Sequence, residues 1–346
     1  QNKKKYEIYK KKMKTWEIYD WIANYIDKKV GGQYLKGRNI PADMAKLMKI
    51  GYIKDVKDFR DQITKEFDKE DLKRAGIVNY NWKKEYYYFH NSLYNSNRIL
   101  FPIRSGGRIV GFSGRIIEPD SQSPKYINSY SHHLYDKKKT IDNLHKAKHY
   151  DQIYVVEGPV DGIALRSIGM MNYIVLSGLS FGKYKRRKLR DKRLVFMLDS
   201  DSSAYNKFVE FAKLASRRYY MVNIPENEDP ASLIATLRKK GFDNKEIKTK
   251  LMELDELTLP EAKILTHKVF NKGNVDQICK DAIDQPSFIQ DSIVKLIANR
   301  SSFDKKSLMD TINSYSNKRA LEEIKDVYKN LSGFSGSIDV NISIRK

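Results

Sequence analysis

Ile153-Tyr154-Val155-Val156-Glu157-Gly158-Pro159-Val160-Asp161 is the stretch whose reading decides the fold. Its first four residues are apolar and rich in β-branched types, which marks a short buried strand. Gly158 and Pro159 break it, and residues 162–169 read as a helix that ends on Gly169. Glu157 therefore stands at the carboxyl end of a strand, and Asp161 at the start of the next helix. Residues 173–176 form a second apolar run. A third, residues 194–198, leads straight into Asp199-Ser200-Asp201. Alternate residues of extended chain face the same way, so Asp199 and Asp201 project together. In an open parallel sheet, ligands gather beyond the carboxyl ends of the strands. Glu157, Asp161, Asp199 and Asp201 are thus expected to converge on one crevice. Crowded carboxylates repel one another unless a cation joins them, and hard oxygen donors suit Mg²⁺ or Mn²⁺.

The order Val156-Glu157-Gly158-x-x-Asp161, then Asp199-x-Asp201, resembles the Toprim signature shared by bacterial-type primases, topoisomerases and some nucleases. The flanking segments narrow the resemblance. Arg98 to Ile103, Gly111 to Arg115, Pro124-Lys-Tyr-Ile-Asn-Ser129 and Glu228-Asp-Pro230 resemble the RNA-polymerase core of the DnaG-type primases, in that family's order. Gln33 to Arg38 and Ile50-Gly51 resemble its amino-terminal subdomain. The resemblance covers roughly residues 15–245. It implies a template-directed RNA primer synthase that uses nucleoside triphosphates on single-stranded DNA. A replicative helicase is the partner it implies, and the cytoplasm of a bacterium or phage-infected cell its location.

The resemblance also implies roles for residues. Asp199, Asp201 and Asp229 are expected to hold divalent ions, two or more Mg²⁺ or Mn²⁺. Glu157 is expected to act as ligand, proton acceptor or both, with Asp161 and Glu228 as supporting acids. Arg98, Arg115, Lys125, Tyr126, Asn128 and Lys137 fall where the family lines its template and primer groove. One departure stands out: the family's Asp-Pro-Asp is here Asp229-Pro230-Ala231. The lost carboxylate is expected to weaken one metal position until a nucleotide supplies oxygens, with Glu228 expected to point away.

Bulk properties agree with a polyanionic partner. The 346 residues include 65 basic and 43 acidic ones, for a formal net charge of +22. Such an excess favours nucleic acid, and 23 tyrosines and 14 phenylalanines supply rings on which bases can stack. The basic run from Gly182 to Arg193 contains Lys183, Lys185, Arg186 and Arg187. It follows Ser177-Gly178 and is read equally well as a triphosphate or template contact or as a solvated face. Cys279 is the single cysteine, which excludes a disulfide framework and a cysteine-based zinc site in this chain. No apolar run is long enough to span a membrane. The composition suits an AT-rich genome, and the first residue, Gln1, suits a fragment or processed chain. The family's amino-terminal zinc-binding domain is expected to be removed, supplied by another chain, or never present.

The expected class is α/β (α+β overall), with a doubly wound, mainly parallel Toprim sheet. A mixed α+β amino-terminal subdomain over 1–148 carries the basic groove, the Toprim domain spans 149–242, and a helical subdomain with a loose tail covers 243–346. Residues 15–29 are expected to form an amphipathic helix, preceded by a linker or frayed helix. Tyr86 to Phe89 are expected as core or strand. His132-His133 is read as polar or surface, because neighbours on a strand face opposite ways. Two alternatives share the acids: a Toprim nuclease of the repair type, and a non-catalytic basic single-stranded DNA-binding replisome protein. A type IA topoisomerase would need a tyrosine nucleophile in a large further domain.

Overall fold

Four of the apolar runs pair in parallel. Gln152–Val156 lies between Tyr173–Val175 and Arg193–Met197, and Tyr219–Val222 pairs on the far side of Arg193–Met197. Counted along the chain, the sheet order is second, first, third, fourth. The winding therefore reverses between the first and third strands, and the crevice beyond their carboxyl ends is the place where such sheets bind ligands. Residues 153–156 and 194–197 are all buried, as a sheet covered on both faces requires. These observations come from a computed structural model, which describes residues 2–89, 92–94, 97–118, 123–176, 182–199, 202–213, 219–225, 227–264, 266–267 and 270–331.

The helix Pro159–Ser167 follows the first strand and packs back on the sheet. Pro159 suits the first helical turn, where its missing N–H leaves no bond unmade. Gly162 is required by proximity: a Cβ there would lie 2.6 Å from the Tyr173 ring and 2.9 Å from a Val175 methyl. The helix Pro230–Lys239 begins in the same way, with proline in its first turn. A short antiparallel strand, Glu256–Leu257, closes the sheet's edge against Tyr219–Val222. The Arg193 guanidinium fastens it by donating to Glu256 at 3.0 Å. This strand follows residue 242, and the chain divides into compact units at Leu259 and Pro260.

Ahead of the parallel sheet stands an antiparallel one, formed by Gly51–Tyr52, Arg98–Ser105, Arg108–Ile116 and Tyr126–Asn128. Its central hairpin turns on Gly106 and Gly107, both with positive φ. Helix Asn2–Tyr25 takes in the lysine-rich start and the expected amphipathic stretch only as far as Tyr25; Asp27 then caps a second helix, Lys28–Lys36. Ile18, Tyr19 and Ile22 pack with Phe59, Ile63 and Phe112 in one core. A second core joins Leu35, Met44 and Phe101 to Val156, Val160, Ile163 and Ile234, so both sheets share one body. Tyr86–Phe89 pairs with Val78–Asn81 as a hairpin. The His132 ring is half-buried, with its Nε2 3.0 Å from the Val110 carbonyl oxygen, and burial lowers its pKa to about 4.

The second unit, Pro260–Lys346, has its own core. Val275 and Cys279 of helix Lys272–Ala282, Ile293 and Ile297 of Ser287–Ala298, and Leu308 and Ile312 of Lys305–Leu331 meet there. Cys279 is buried in this apolar packing, which raises its thiol pKa to about 11.

Candidate active site

The first strand ends at Val156, and Glu157 follows at the mouth of the crevice. Both of its carboxylate oxygens face the Lys207 ammonium, at 3.0 and 3.1 Å. Lys207 lies on helix Ser202–Lys213, which follows the third strand. Both side chains of the pair are partly buried. No pattern in the sequence singles out Lys207, because one lysine on an amphipathic helix reads as solvated surface.

Asp161, in the first turn of helix Pro159–Ser167, is buried. Its Oδ2 accepts from the Gly158 N–H at 3.2 Å, which caps the helix Pro159–Ser167 from within. Burial raises its carboxyl pKa to about 7, and the charges of Asp229 and Asp199 push in the same direction. Those two acids are therefore close enough to act on it electrostatically. Asp199 lies exposed just past the third strand, at the point expected. Asp229 is the N-cap of helix Pro230–Lys239: its Oδ1 accepts from the Ser232 N–H at 2.6 Å, and its own N–H donates to the Ser232 hydroxyl at 2.8 Å. Both capped helices direct their amino ends, and hence their positive dipole ends, toward these acids. Asp201 and Ser177-Gly178 lie outside the described residues.

Glu228 accepts from the Thr236 hydroxyl at 3.0 Å, which directs it along its own helix. Ala231 is buried, and its N–H bonds to Asp161. Among the described residues, no three acidic, histidine or cysteine side chains are arranged to hold one metal ion. The donors nevertheless fit a hard divalent cation. They are carboxylate oxygens in mutual repulsion, and one of them already holds a cation, the Lys207 ammonium.

The residues expected in the groove separate into buried and exposed sets. Arg98 is buried, and its Nη1 donates to the carbonyls of Gly114 at 3.1 Å and Pro124 at 3.0 Å. This side chain ties the hairpin to the segment that carries Lys125. Arg115 donates to the Tyr126 hydroxyl at 2.9 Å, and its guanidinium lies 5.4 Å from the Tyr126 ring and 5.9 Å from the Tyr34 ring. The Tyr126 hydroxyl in turn stands 3.9 Å from where a Gly158 Cβ would be. The Arg115–Tyr126 pair thus abuts the turn that bears Glu157. Tyr34 is a contributor not singled out from the sequence, although its segment was. Asn128 is half-buried on the same strand as Tyr126, while Lys125 and Lys137 are exposed.

The basic run folds as helix Lys183–Lys188. Lys183 and Arg187 are exposed, and Arg186 is half-buried. Lys185 is buried instead, with its Nζ donating to the Leu176 carbonyl at 3.4 Å. Burial, with Lys137 nearby, lowers its pKa to about 8. As placed, it offers no surface to a phosphate.

Comparison with known proteins agrees with this arrangement. Residues 21–148 match the family described as DNA primase catalytic core, N-terminal domain, and residues 154–234 match the Toprim-like family. The DNA primase of Legionella pneumophila is 28% identical over 257 residues, covering 68% of this chain and 43% of that protein. The DNA primase of Lactococcus lactis is 30% identical over 222 residues, covering 61% and 34%. The chain therefore spans less than half of either relative's length. Among solved structures, the zinc-binding and RNA polymerase domains of Aquifex aeolicus primase superpose with a TM-score of 0.62 at 22% identity, over 86% of this chain and 75% of that one. The RNA polymerase domain of Mycobacterium tuberculosis primase, solved with double-stranded DNA, superposes with a TM-score of 0.62 at 20% identity, over 87% and 98%. The two family matches adjoin along one compact unit, so residues 21–234 are similar in sequence to the DnaG-type primase catalytic core, and the fold is the one its solved structures share.

Proposed function

We propose that this chain synthesises short RNA primers on a single-stranded DNA template. A primer 3′-hydroxyl attacks the α-phosphorus of a nucleoside triphosphate; a new P–O bond forms, the bond to the β-phosphate oxygen breaks, and pyrophosphate leaves. Mg²⁺ or Mn²⁺, when bound, supplies charge neutralisation for the triphosphate and acidifies the attacking hydroxyl. Asp199, Asp201 and Asp229 are the residues assigned to hold such ions. Glu157 ligates an ion or accepts the hydroxyl proton once Lys207 is displaced. Asp161 and Glu228 support the acids from their helix caps and flanks.

The observation that carries this reading is the abutment of the Arg115–Tyr126 pair on the Glu157-Gly158 turn. A guanidinium next to acids that repel one another suits an anionic substrate held beside cations. Lys125, Lys137, Lys183 and Arg187 are exposed cations for template or primer phosphates, with Arg186 behind them. Arg98, Asn128 and Lys185 act by positioning. Among the described residues no helix is long and apolar enough to cross a membrane. A replicative helicase as partner and a cytoplasmic setting belong to the same proposal.

Incubation with single-stranded DNA, labelled nucleoside triphosphates and Mg²⁺ or Mn²⁺ tests it. Short RNA products are expected. Template cleavage would point to a Toprim nuclease, and DNA retention without chemistry to a binding protein; either outcome overturns the proposal.

A further inference from the structure

A second concentration of charge lies away from the acids, in a cavity of about 170 Å³. Arg104 reaches it from the hairpin of the antiparallel sheet, Lys146 from the short helix Leu144–Ala147, and Arg166 from the carboxyl-terminal turn of Pro159–Ser167. Asp161 lies in the first turn of that helix, so cavity and crevice occupy its opposite ends. Asp142 is the one acid among the described lining residues. Its Oδ1 is already engaged by the N–H groups of Arg104 and Asn143, each at 2.9 Å.

Three cations thus share one committed carboxylate. Burial, and the repulsion of Arg166, lower the pKa of Arg104 even with Asp142 beside it. Lys146 is lowered by burial and by both arginines. A donor is left over as well: Arg166 Nε is buried without a hydrogen-bond partner. Buried like charges and an unpaired N–H both cost stability, and a polyvalent anion would relieve them together. At roughly 30 Å³ per water, the volume corresponds to five or six waters. That is room for one tetrahedral oxyanion with its waters, and too little for a whole nucleotide.

We infer that Arg104, Lys146 and Arg166 form a binding site for a single phosphate group, separate from the acidic crevice. The elements that line it belong to both sheets. Arg104 is anchored through its Nη2 to the Met48 carbonyl at 2.7 Å, and Asn143 is pinned to the Tyr173 carbonyl at 2.8 Å. An occupant would therefore clamp the antiparallel hairpin to the Toprim-like half of the unit.

Thermal unfolding of the whole chain in inorganic phosphate, against chloride at equal ionic strength, tests this. Wild type should show a saturable rise in Tm. The double variant Lys146→Gln/Arg166→Gln should lose that rise, and in chloride it should melt no lower than wild type, because repulsion has been removed. Lys146→Gln alone should shift the half-saturating phosphate concentration at least about threefold, which keeps the test open should the double variant not fold. If single-stranded DNA affinity is unchanged in the variants, the site takes a free phosphate compound. If affinity falls along with the phosphate response, it takes a backbone phosphate. Equal responses to phosphate and chloride in wild type, or a phosphate response retained in the double variant, would overturn the inference.

Discussion

The Lys207 ammonium lies 3.0 and 3.1 Å from the two carboxylate oxygens of Glu157, so the central acid of the crevice carries a tethered counter-ion. A partly exposed pair of this kind contributes about 1 kcal/mol or less, and a divalent ion with twice the charge can displace it. Lys207 therefore competes with the metal. Lys207→Met should bind Mn²⁺ about three- to fivefold more tightly in calorimetric titration without nucleotide. In a Glu157→Gln background the same substitution should have no effect. Equal tightening in both backgrounds would show that Lys207 acts through general charge alone.

Arg98 and Lys125 were expected to line the same groove, and the structure gives them different surroundings. Arg98→Ala removes the bonds to the Gly114 and Pro124 carbonyls and leaves a void at a buried side chain. It should lower stability by about 2–4 kcal/mol in urea unfolding. Lys125→Ala should leave stability unchanged and reduce the salt slope of single-stranded DNA binding by about 1. The reverse pattern would contradict these assignments.

The sequence conveyed the parallel sheet well, because residues 153–156 and 194–197 are continuous apolar runs that end in acids. Two other features were hidden by local chemistry. Helix Lys28–Lys36 contains Gly31 and Gly32, which are poor helix formers. Gly31 is there because a Cβ would lie 2.5 Å from the Ile50 carbonyl oxygen, a tertiary demand that no local pattern reveals. Strand Glu256–Leu257 is only two residues long and is defined by its partner. At the candidate site, the acids were legible as a motif. The burial of Lys185 within a basic run was not, since composition carries no record of which lysine turns inward.

Gly162→Ala tests the packing of the helix on the sheet. The added methyl would press on the Tyr173 ring and on Val175, and overpacking of this kind costs about 1–3 kcal/mol. A lower urea midpoint with an unchanged slope is expected; an unchanged midpoint would mean that the ring yields freely.

Lys185 gives the pH dependence a sign. Its folded pKa of about 8 lies below the ordinary lysine value of about 10.5, so between those limits the unfolded chain binds more protons. Stability should therefore rise with pH from about 8 to 10, and its contribution should level off above the unfolded pKa. Lys185→Met should flatten that rise and unfold at higher urea at pH 7. A variant that loses stability at pH 7 would show that the buried ammonium is well compensated.

The central claim is that the acids at the strand ends support primer synthesis. Its most direct measurement is the initial rate of template-dependent ribonucleotide incorporation in Mn²⁺ by wild type and Asp199→Asn. The expected result is short RNA from wild type, and a rate at least about a hundredfold lower in the variant with Tm equal or higher, because crowded charge has been removed. Incorporation by Asp199→Asn at the wild-type rate would contradict the account.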